Sequence, residues 1–352
     1  MIDIHFYMRA HEFKLALQNN KIVDKIAASA ELERLRSKSP VIFNIETTNA
    51  CNMRCTMCPR TTNMTRPVST LDMALYRKVT EQISPWSVDE WRQWQVFAAE
   101  QYGISDNGMS ENHFFLYVIP RVIILHGYGD PLLDPAIVQR VRLLTERAIP
   151  SYFSCNPANI DIDKTVELFE NGLSYIKYSI DSVNDEQHRK VRGENSNFST
   201  SYKKIIKLLE IKEQRGLSTV VVITMIDLDN SWQQDDYLKL QNAFKDKPVY
   251  LYMKSPDQQW YTNNPKPNQS IHWSEFCQFP WSSMTIMSNG QVSSCGQDYD
   301  NAIALGNVNS ESLYEIWNGE KYCEFRQNHL TLAQANKCLG QCDMTLAGRL
   351  IQ

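Results

Sequence analysis

The sequence predicts an α/β fold, a partial (β/α)6 barrel followed by a small C-terminal unit rich in cysteine. Three observations carry that expectation. Short β-branched runs alternate with helix-period segments six times, the pattern of parallel βα units. A C-x3-C-x2-C group stands directly behind the first of those runs. From about Pro265 the texture changes to short turns and holds five of the nine cysteines. The chain divides into a helical lead-in over 1–40, a core over 41–264 with an aromatic-rich insertion at 84–120, and a C-terminal unit over 265–352.

In the lead-in, Phe13, Leu15, Leu17, Ile22 and Ile26 are available to pack. Strands are expected at Val41–Thr47, Val122–His126, Ser151–Ser154, Tyr175–Ile180, Ser218–Met225 and Val249–Lys254. Helices are expected around Leu71–Ile83, Ala136–Arg147, Lys164–Asn171, Thr200–Arg215 and Trp232–Phe244, and the sixth connection carries no clear helical pattern. Functional residues of such a barrel belong at the C-terminal ends of its strands. Ser84 to Pro120 is far longer than an αβ loop needs to be, so it has structure of its own. Ser87 and Glu90 have capping-box spacing, and Trp91, Trp94, Ala98 and Tyr102 recur at helical intervals behind them. That stripe either covers the barrel wall or forms a lid over the substrate. The C-terminal unit carries a hairpin signal at Ser288-Asn289-Gly290 and a helix over Leu313–Arg326, with too little apolar content for a large core, so bound metal would help hold it together.

With 43% hydrophobic and 22% charged residues the chain is globular, and disorder is excluded as its main state. Thirty-six basic against forty acidic residues leave a net charge of -4, so no global positive field is present to hold nucleic acid. The opening MIDIHFYMRAHEFK lacks the regions of a secretory signal, and no apolar stretch approaches membrane-spanning length. A cytoplasmic location is expected. An odd number of cysteines in a reducing compartment points to metal ligation or catalysis rather than disulfides.

Cys51, Cys55 and Cys58 lie in IETTNACNMRCTMCPRTT. Three thiolates on a tight loop can converge on one centre and leave a coordination position open. A closed zinc site needs a fourth ligand, and this loop has no His or further Cys. Cys277 and Cys295 flank the expected hairpin, and Cys338 and Cys342 form a C-x3-C near the end of the chain. Ligand count alone allows either zinc or a [4Fe-4S] cluster there.

The triplet behind the first strand resembles the cluster loop of the radical S-adenosylmethionine (SAM) enzymes, in the form common where a C-terminal cluster domain follows. The resemblance implies a [4Fe-4S] cluster on Cys51, Cys55 and Cys58, SAM bound to its fourth iron, and a 5'-deoxyadenosyl radical that abstracts a hydrogen atom from substrate. Met57 departs from the pattern, since many members have an aromatic residue there. HGYGDPLLDP resembles the family's G-x-G-E-P motif, which assigns Gly127, Gly129 and Asp130 to SAM, with Asp130 in place of the usual Glu. By the same likeness Asn156 meets the cofactor. Cys155 beside it is either a small buried hydrophobe or a hydrogen-atom donor. Ser179 and Asp181 share a side of the fourth strand with Lys177 and resemble residues that face SAM. Arg192, in HRKVRG, matches an arginine near the SAM carboxylate, the alternative being a surface cation.

The C-terminal text, including LGNVNSESLYEIWNGEKYCEFR, resembles the SPASM/Twitch auxiliary-cluster extension, and the four-cysteine layout is similar to that of radical SAM aminocyclitol dehydrogenases. This implies a second [4Fe-4S] cluster on Cys277, Cys295, Cys338 and Cys342, suited to accepting an electron. Cys323 falls on the expected helix as a packing residue. The expected reaction is oxidation of a small polyol, aminocyclitol, sugar or nucleotide-sugar, with His126, Tyr252 and Lys254 as candidate proton acceptors. A peptide-modifying or epimerising enzyme, with Cys155 or Cys323 returning the hydrogen atom, is the alternative. A non-catalytic zinc scaffold is a third reading. The family also implies a flavodoxin or ferredoxin-type reductant; neither nucleic acid nor membrane is an expected partner.

Overall fold

The computed structural model describes residues 1–19, 21–22, 24–104, 110–254 and 277–331. Six parallel strands form the centre: β1 (Ile42–Ile45), β2 (Ile123–Ile124), β3 (Ser151–Cys155), β4 (Tyr175–Ser179), β5 (Val220–Ile226) and β6 (Val249–Lys254). They lie in chain order with β6 at the open edge. Beyond β1 the same sheet continues through β7 (Met284–Ile286), β8 (Gln291–Ser293) and β9 (Gly306–Asn307). β7 pairs with β1 in parallel, and the β7–β8 hairpin closes at Gly290, whose φ of +85 suits glycine. The C-terminal cysteine-rich segment therefore extends the sheet that carries the first cysteine loop.

Period-two alternation gives the sheet two faces. Ile123, Phe153, Ile176, Val221 and Ile223 face the helices and share the main core with Val141, Leu168 and Leu208. Each such full burial stabilises by roughly 1.5–3 kcal/mol. The opposite, inner face carries Ile124, Tyr152, Tyr175, Val222 and Tyr252. Helices run close to their expected bounds, at Met73–Thr80, Ile137–Glu146, Ile162–Glu170, Phe198–Gln214 and Gln233–Ala243, and Asp72, Asp161 and Asn197 cap theirs through side-chain oxygens. The helix expected over Leu313–Arg326 is two, Leu313–Asn318 and Glu320–Thr331, divided at Gly319.

The insertion forms helix Val88–Tyr102, and both bonds of the Ser87–Glu90 capping box are present. Its buried Trp94 meets Tyr7 at 6.1 Å, and Phe97 and Tyr102 meet His11 at 5.2 and 6.0 Å. The stripe therefore packs on the lead-in helices Ile4–Arg9 and His11–Gln18, a partner the sequence did not reveal. Phe6, Trp94, Leu116 and Trp281 share one core, so lead-in, insertion and C-terminal segment are packed together. A second insertion helix, Glu111–Tyr117, sends Phe114 into the inner face against Tyr152 and Tyr252, at 5.1 and 6.2 Å. Among the described residues no helix is long and apolar enough to cross a membrane.

Candidate active site

Behind β1 the chain turns into the cysteine loop from the middle of the sheet, between β2 and β7. Neighbouring groups fix its path. Asn49 accepts from Ser69 N at 2.7 Å and donates to Pro67 O at 2.9 Å, and Arg60 Nε donates to Asn49 O at 2.8 Å. Arg54 N and Thr56 N donate to the carbonyls of Arg192 and Val191 at 3.1 and 2.9 Å. A Cβ on Gly193, at φ +96, would lie 2.9 Å from Arg54 N, so this helix end reaches the loop only as glycine. Cys51, Cys55 and Cys58 carry free thiols. Burial pushes Cys51 up to about 11 and raises Cys58 as well. Burial that disfavours bare thiolates is offset by a bound metal centre, so the donor set fits an iron-sulfur cluster. Among the described residues no three His, Cys, Asp or Glu side chains form a group that would hold a single metal ion, and the thiols instead line a loop.

Glu46, fully buried at the end of β1, ties this loop to the rest of the site. Arg66 donates to both its oxygens at 2.9 Å, Tyr128 N donates to it at 3.1 Å, and Ser288 donates through N at 3.1 Å and Oγ at 2.9 Å. Burial alone would raise its pKa, yet the Arg66 guanidinium and the backbone donors hold it below the ordinary value. A Cβ on Gly127 would lie 2.5 Å from Glu46 Oε1, and one on Gly129 would lie 2.7 Å from Asn49 Cα. The two glycines expected to admit a ligand are thus also required by the packing of the loops on each other.

Asp130 N donates to Ala50 O at 2.8 Å, while its carboxylate accepts from Leu132 N and Asn156 N, both at 3.0 Å, and from Asn159 Nδ2 at 2.8 Å. Despite these bonds, burial raises its pKa. Asn156 caps the following turn, accepting from Ala158 N at 2.9 Å, and its Nδ2 donates to Ser196 Oγ at 2.9 Å. Asp181 accepts from Ile226 N at 2.8 Å and pairs with Arg192. The sequence assigned these three residues to the cofactor, and in the fold their side-chain polar atoms also have protein partners.

Arg192 is 9% exposed, which corrects the surface-cation alternative. Its Nε pairs with Asp181, its Nη1 lies 3.7 Å from Cys55 Sγ, and its Nη2 is buried with no hydrogen-bond partner. Burial opposes its charge, and the Asp181 and Cys55 charges more than offset this, so its pKa is raised. An orphaned guanidinium nitrogen beside a cluster cysteine fits a carboxylate-bearing cofactor.

The inner face carries the other polar groups. Ser154 is in register with Lys177, and Ser179 Oγ is 3.4 Å from Ser154 Oγ. β2 ends before His126, so Ser154 N–H turns to His126 Nδ1 at 3.1 Å. Burial, followed by the charges of Lys177 and Lys254, pushes His126 down to about 3, which leaves it neutral at pH 7. Since Nδ1 accepts, the neutral ring carries its proton on Nε2. In this arrangement His126 offers a donor through Nε2. Tyr252 pairs with Thr224 on β5, and Lys254 lies one inner position beyond it. Lys177 Nζ stands 5.2 Å over the Phe114 ring and 5.5 Å over Tyr152. Cys155 faces the other way, into the helix-side core, where burial pushes its thiol well up. It is not presented with the inner-face groups, so the fold runs against a donor role there.

In the C-terminal segment Cys277 N donates to His329 Nε2 at 3.3 Å, and Gln297 N donates to Cys295 Sγ at 3.3 Å. Cys338 and Cys342 lie outside the described residues. The stretch behind Cys295 bonds directly to the first site: Tyr128 OH donates to Gln297 O at 3.2 Å, and Arg66 Nε donates to Tyr299 O at 2.6 Å. Sequence reading missed Glu46, Arg66 and Phe114. Glu46 lies inside the quoted cysteine motif, but its partners are 20, 82 and 242 residues away, and no local signal marks them.

An open parallel α/β sheet with a three-thiol loop behind its first strand, a glycine loop behind its second and a buried arginine beside the thiols defines a radical SAM enzyme. Residues 45–240 match the family model of the radical SAM superfamily, and the chain belongs to that family. Residues 277–343 match SPASM, an iron-sulfur cluster-binding domain. SAM and [4Fe-4S] clusters are therefore its cofactors. The chain is 21% identical over 290 residues to the S-adenosyl-L-methionine-dependent 2-deoxy-scyllo-inosamine dehydrogenase of Niallia circulans, covering 81% of this chain and 85% of that one. Among solved structures, Streptococcus suis SuiB bound to S-adenosylmethionine is similar at a TM-score of 0.53 and 14% identity, covering 98% of this chain and 85% of that one. Native anSMEcpe with bound AdoMet is similar at a TM-score of 0.52 and 16% identity, covering 86% of this chain and 90% of that one. These two likenesses are likenesses of fold.

Proposed function

We propose that this radical SAM enzyme is an oxidoreductase of dehydrogenase type, oxidising a hydroxyl carbon of a small polyol, aminocyclitol, sugar or nucleotide-sugar. The observation that carries the reading is the inner face, where Lys177 stands over the Phe114 and Tyr152 rings, His126 meets Tyr152 edge-on at 5.2 Å, Tyr252 meets Phe114 at 6.2 Å, and Lys254 ends β6 on the same face. Polar groups over a closed apolar floor suit a small hydroxylated ring. When bound, SAM and its cluster supply the 5'-deoxyadenosyl radical for hydrogen-atom abstraction, and the auxiliary cluster supplies a site for the remaining electron.

The chain's own groups do the rest. Cys51, Cys55 and Cys58 hold the first cluster, and Cys277, Cys295, Cys338 and Cys342 hold the second. Arg192 takes the SAM carboxylate through Nη2, while the Gly127–Gly129 backbone edge and Ser179 line the cofactor, and Asp130, Asn156 and Asp181 position that lining. His126 Nε2–H donates to a substrate oxygen, and Tyr252 or Lys254 takes the hydroxyl proton. A flavodoxin or ferredoxin-type protein delivers the starting electron. The similarity to a dehydrogenase supports this reaction type. The test is anaerobic turnover of the reconstituted enzyme with SAM, a reductant and a panel of polyols and sugars. Ketone and 5'-deoxyadenosine are expected in equal amounts. An epimerised or rearranged product without oxidation would remove the dehydrogenase reading.

A further inference from the structure

We infer that Lys14 is the counter-charge of the auxiliary cluster, a buried cation beside its ligand Cys277 that favours the form of the cluster holding the extra electron. The inference rests on the proposed assignment of Cys277 to that cluster. It adds a residue from the lead-in, which lies outside both matched segments, 45–240 and 277–343. On the helix His11–Gln18, Lys14 lies one turn from both Ala10 and Leu17, so the three share a stripe. Ala10 and Leu17 belong to the core against which Cys277 packs, together with Tyr7, Phe13 and Trp281. Lys14 is accordingly only 3% exposed, a burial that lysine almost never shows unless paired.

Among the described residues no carboxylate pairs with it. Asp3, a buried acid of the neighbouring helix, caps that helix by accepting from Phe6 N at 2.9 Å, and Glu12 is exposed. Burial works against the Lys14 ammonium, and the charge that works for it is that of Cys277. His329, whose Nε2 accepts from Cys277 N at 3.3 Å, is fully buried and pushed down to about 3, so it is neutral at pH 7. Lys14 is thus the cation that the described residues place at this ligand. A buried cation without a partner is costly until an anion joins it. A cluster on thiolates is anionic and gains one more negative charge with an electron, and net charge and burial help to set its potential. A neighbouring ammonium stabilises the more negative form more, which raises the potential. That direction suits a cluster that accepts the electron left on substrate.

Redox titration of the reconstituted holoenzyme, followed by electron paramagnetic resonance with and without SAM, reads both clusters. Lys14→Met keeps the length and removes the charge. It should lower the reduced-to-oxidised ratio of the auxiliary cluster at fixed potential at least about tenfold, a downward shift of about 59 mV for one electron, and leave the first cluster where it is. Lys14→Arg should restore most of the potential, a rescue that lost packing alone would not show. Auxiliary iron lost in Lys14→Met and recovered in Lys14→Arg would show the same dependence on charge. An auxiliary potential unchanged in Lys14→Met, or lowered equally in Lys14→Arg, overturns the proposal. Iron analysis of Cys277→Ala keeps the two readings apart: loss of auxiliary iron supports the ligand assignment, whereas full auxiliary iron removes Cys277 from the cluster and the proposal with it.

Discussion

The two cysteine regions of this chain solve the same chemical problem in opposite ways. Cys51, Cys55 and Cys58 sit within eight consecutive positions, and their loop is pinned by backbone bonds to Arg192 and Val191 and by the glycine at 193. Cys277 and Cys295 are separated by a helix and two strands, and their region is attached to the first site through contacts distant in sequence, among them the β1–β7 pairing and the bond from Tyr128 to Gln297. A short chelate carries its geometry in its spacing. A dispersed one depends on the whole fold to bring its ligands together. The largest expected effect breaks the comparison at its strong end. Replacing Cys51, Cys55 and Cys58 together with Ala should abolish SAM cleavage and lower iron from about eight to about four per chain. Cys295→Ala should instead remove the auxiliary irons and spare part of the reductive cleavage of SAM. Iron and sulfide analysis with electron paramagnetic resonance checks both, and equal loss of cleavage in the two variants would count against the division of labour.

Next in size is the connection between the regions. Glu46 and Arg66 are 1% and 7% exposed at their side chains, so removing one partner leaves a buried charge uncompensated. Glu46→Ala should cost about 3–5 kcal/mol in denaturant unfolding. The pair also sets an acid dependence. Because the folded pKa of Glu46 is depressed, its stabilisation is fully present above the ordinary carboxylate value near 4 and is lost as pH falls through the lower folded value. Wild type should therefore lose stability more steeply than Glu46→Gln below about pH 4. Parallel acid profiles for the two proteins would show that the pair is not what joins the regions.

The same contrast explains what the sequence made legible. The cysteine triplet, the glycine loop and the capping box at Ser87 are local patterns, and each recurs in the structure where its spacing puts it. β3, β4 and β6 lie within a residue or two of their expected bounds, because β-branched and aromatic runs bounded by turns specify a strand locally. β2 is shorter than expected, two residues where five were read, and beyond its end the Ser154 N–H goes to the His126 ring and not to a strand carbonyl. Phe114 was hidden in a helix of seven residues whose apolar positions give no clear period. The Glu46 network was hidden by distance along the chain, and so was the continuation of the central sheet through β7.

A smaller effect sharpens the comparison at a point of contact. The Cβ introduced by Gly129→Ala meets the backbone of Thr48 and Asn49, which cannot swing aside as a flexible side chain would. The variant should lose about 1–3 kcal/mol, with its largest change in SAM cleavage because the displaced segment leads into Cys51. Unfolding curves and 5'-deoxyadenosine formation measured side by side separate the two consequences. Unaltered cleavage with lowered stability would confine Gly129 to packing.

The smallest effect is expected at Cys323, and it tests the weaker end of the comparison. A dispersed ligand set is the kind in which a nearby spare thiol can replace a member. Cys323 Sγ lies 3.5 Å from both Asn318 O and Arg326 Nη2, contacts that suit a thiol packed at the junction of two helices. If that is its whole role, Cys323→Ala should leave the iron content and the auxiliary-cluster signal unchanged and cost about 1 kcal/mol or less. A loss of auxiliary iron would place Cys323 among the ligands. The C-terminal set would then differ from the Cys277, Cys295, Cys338 and Cys342 arrangement, and the dispersed region would be the one in which sequence spacing misassigns a ligand.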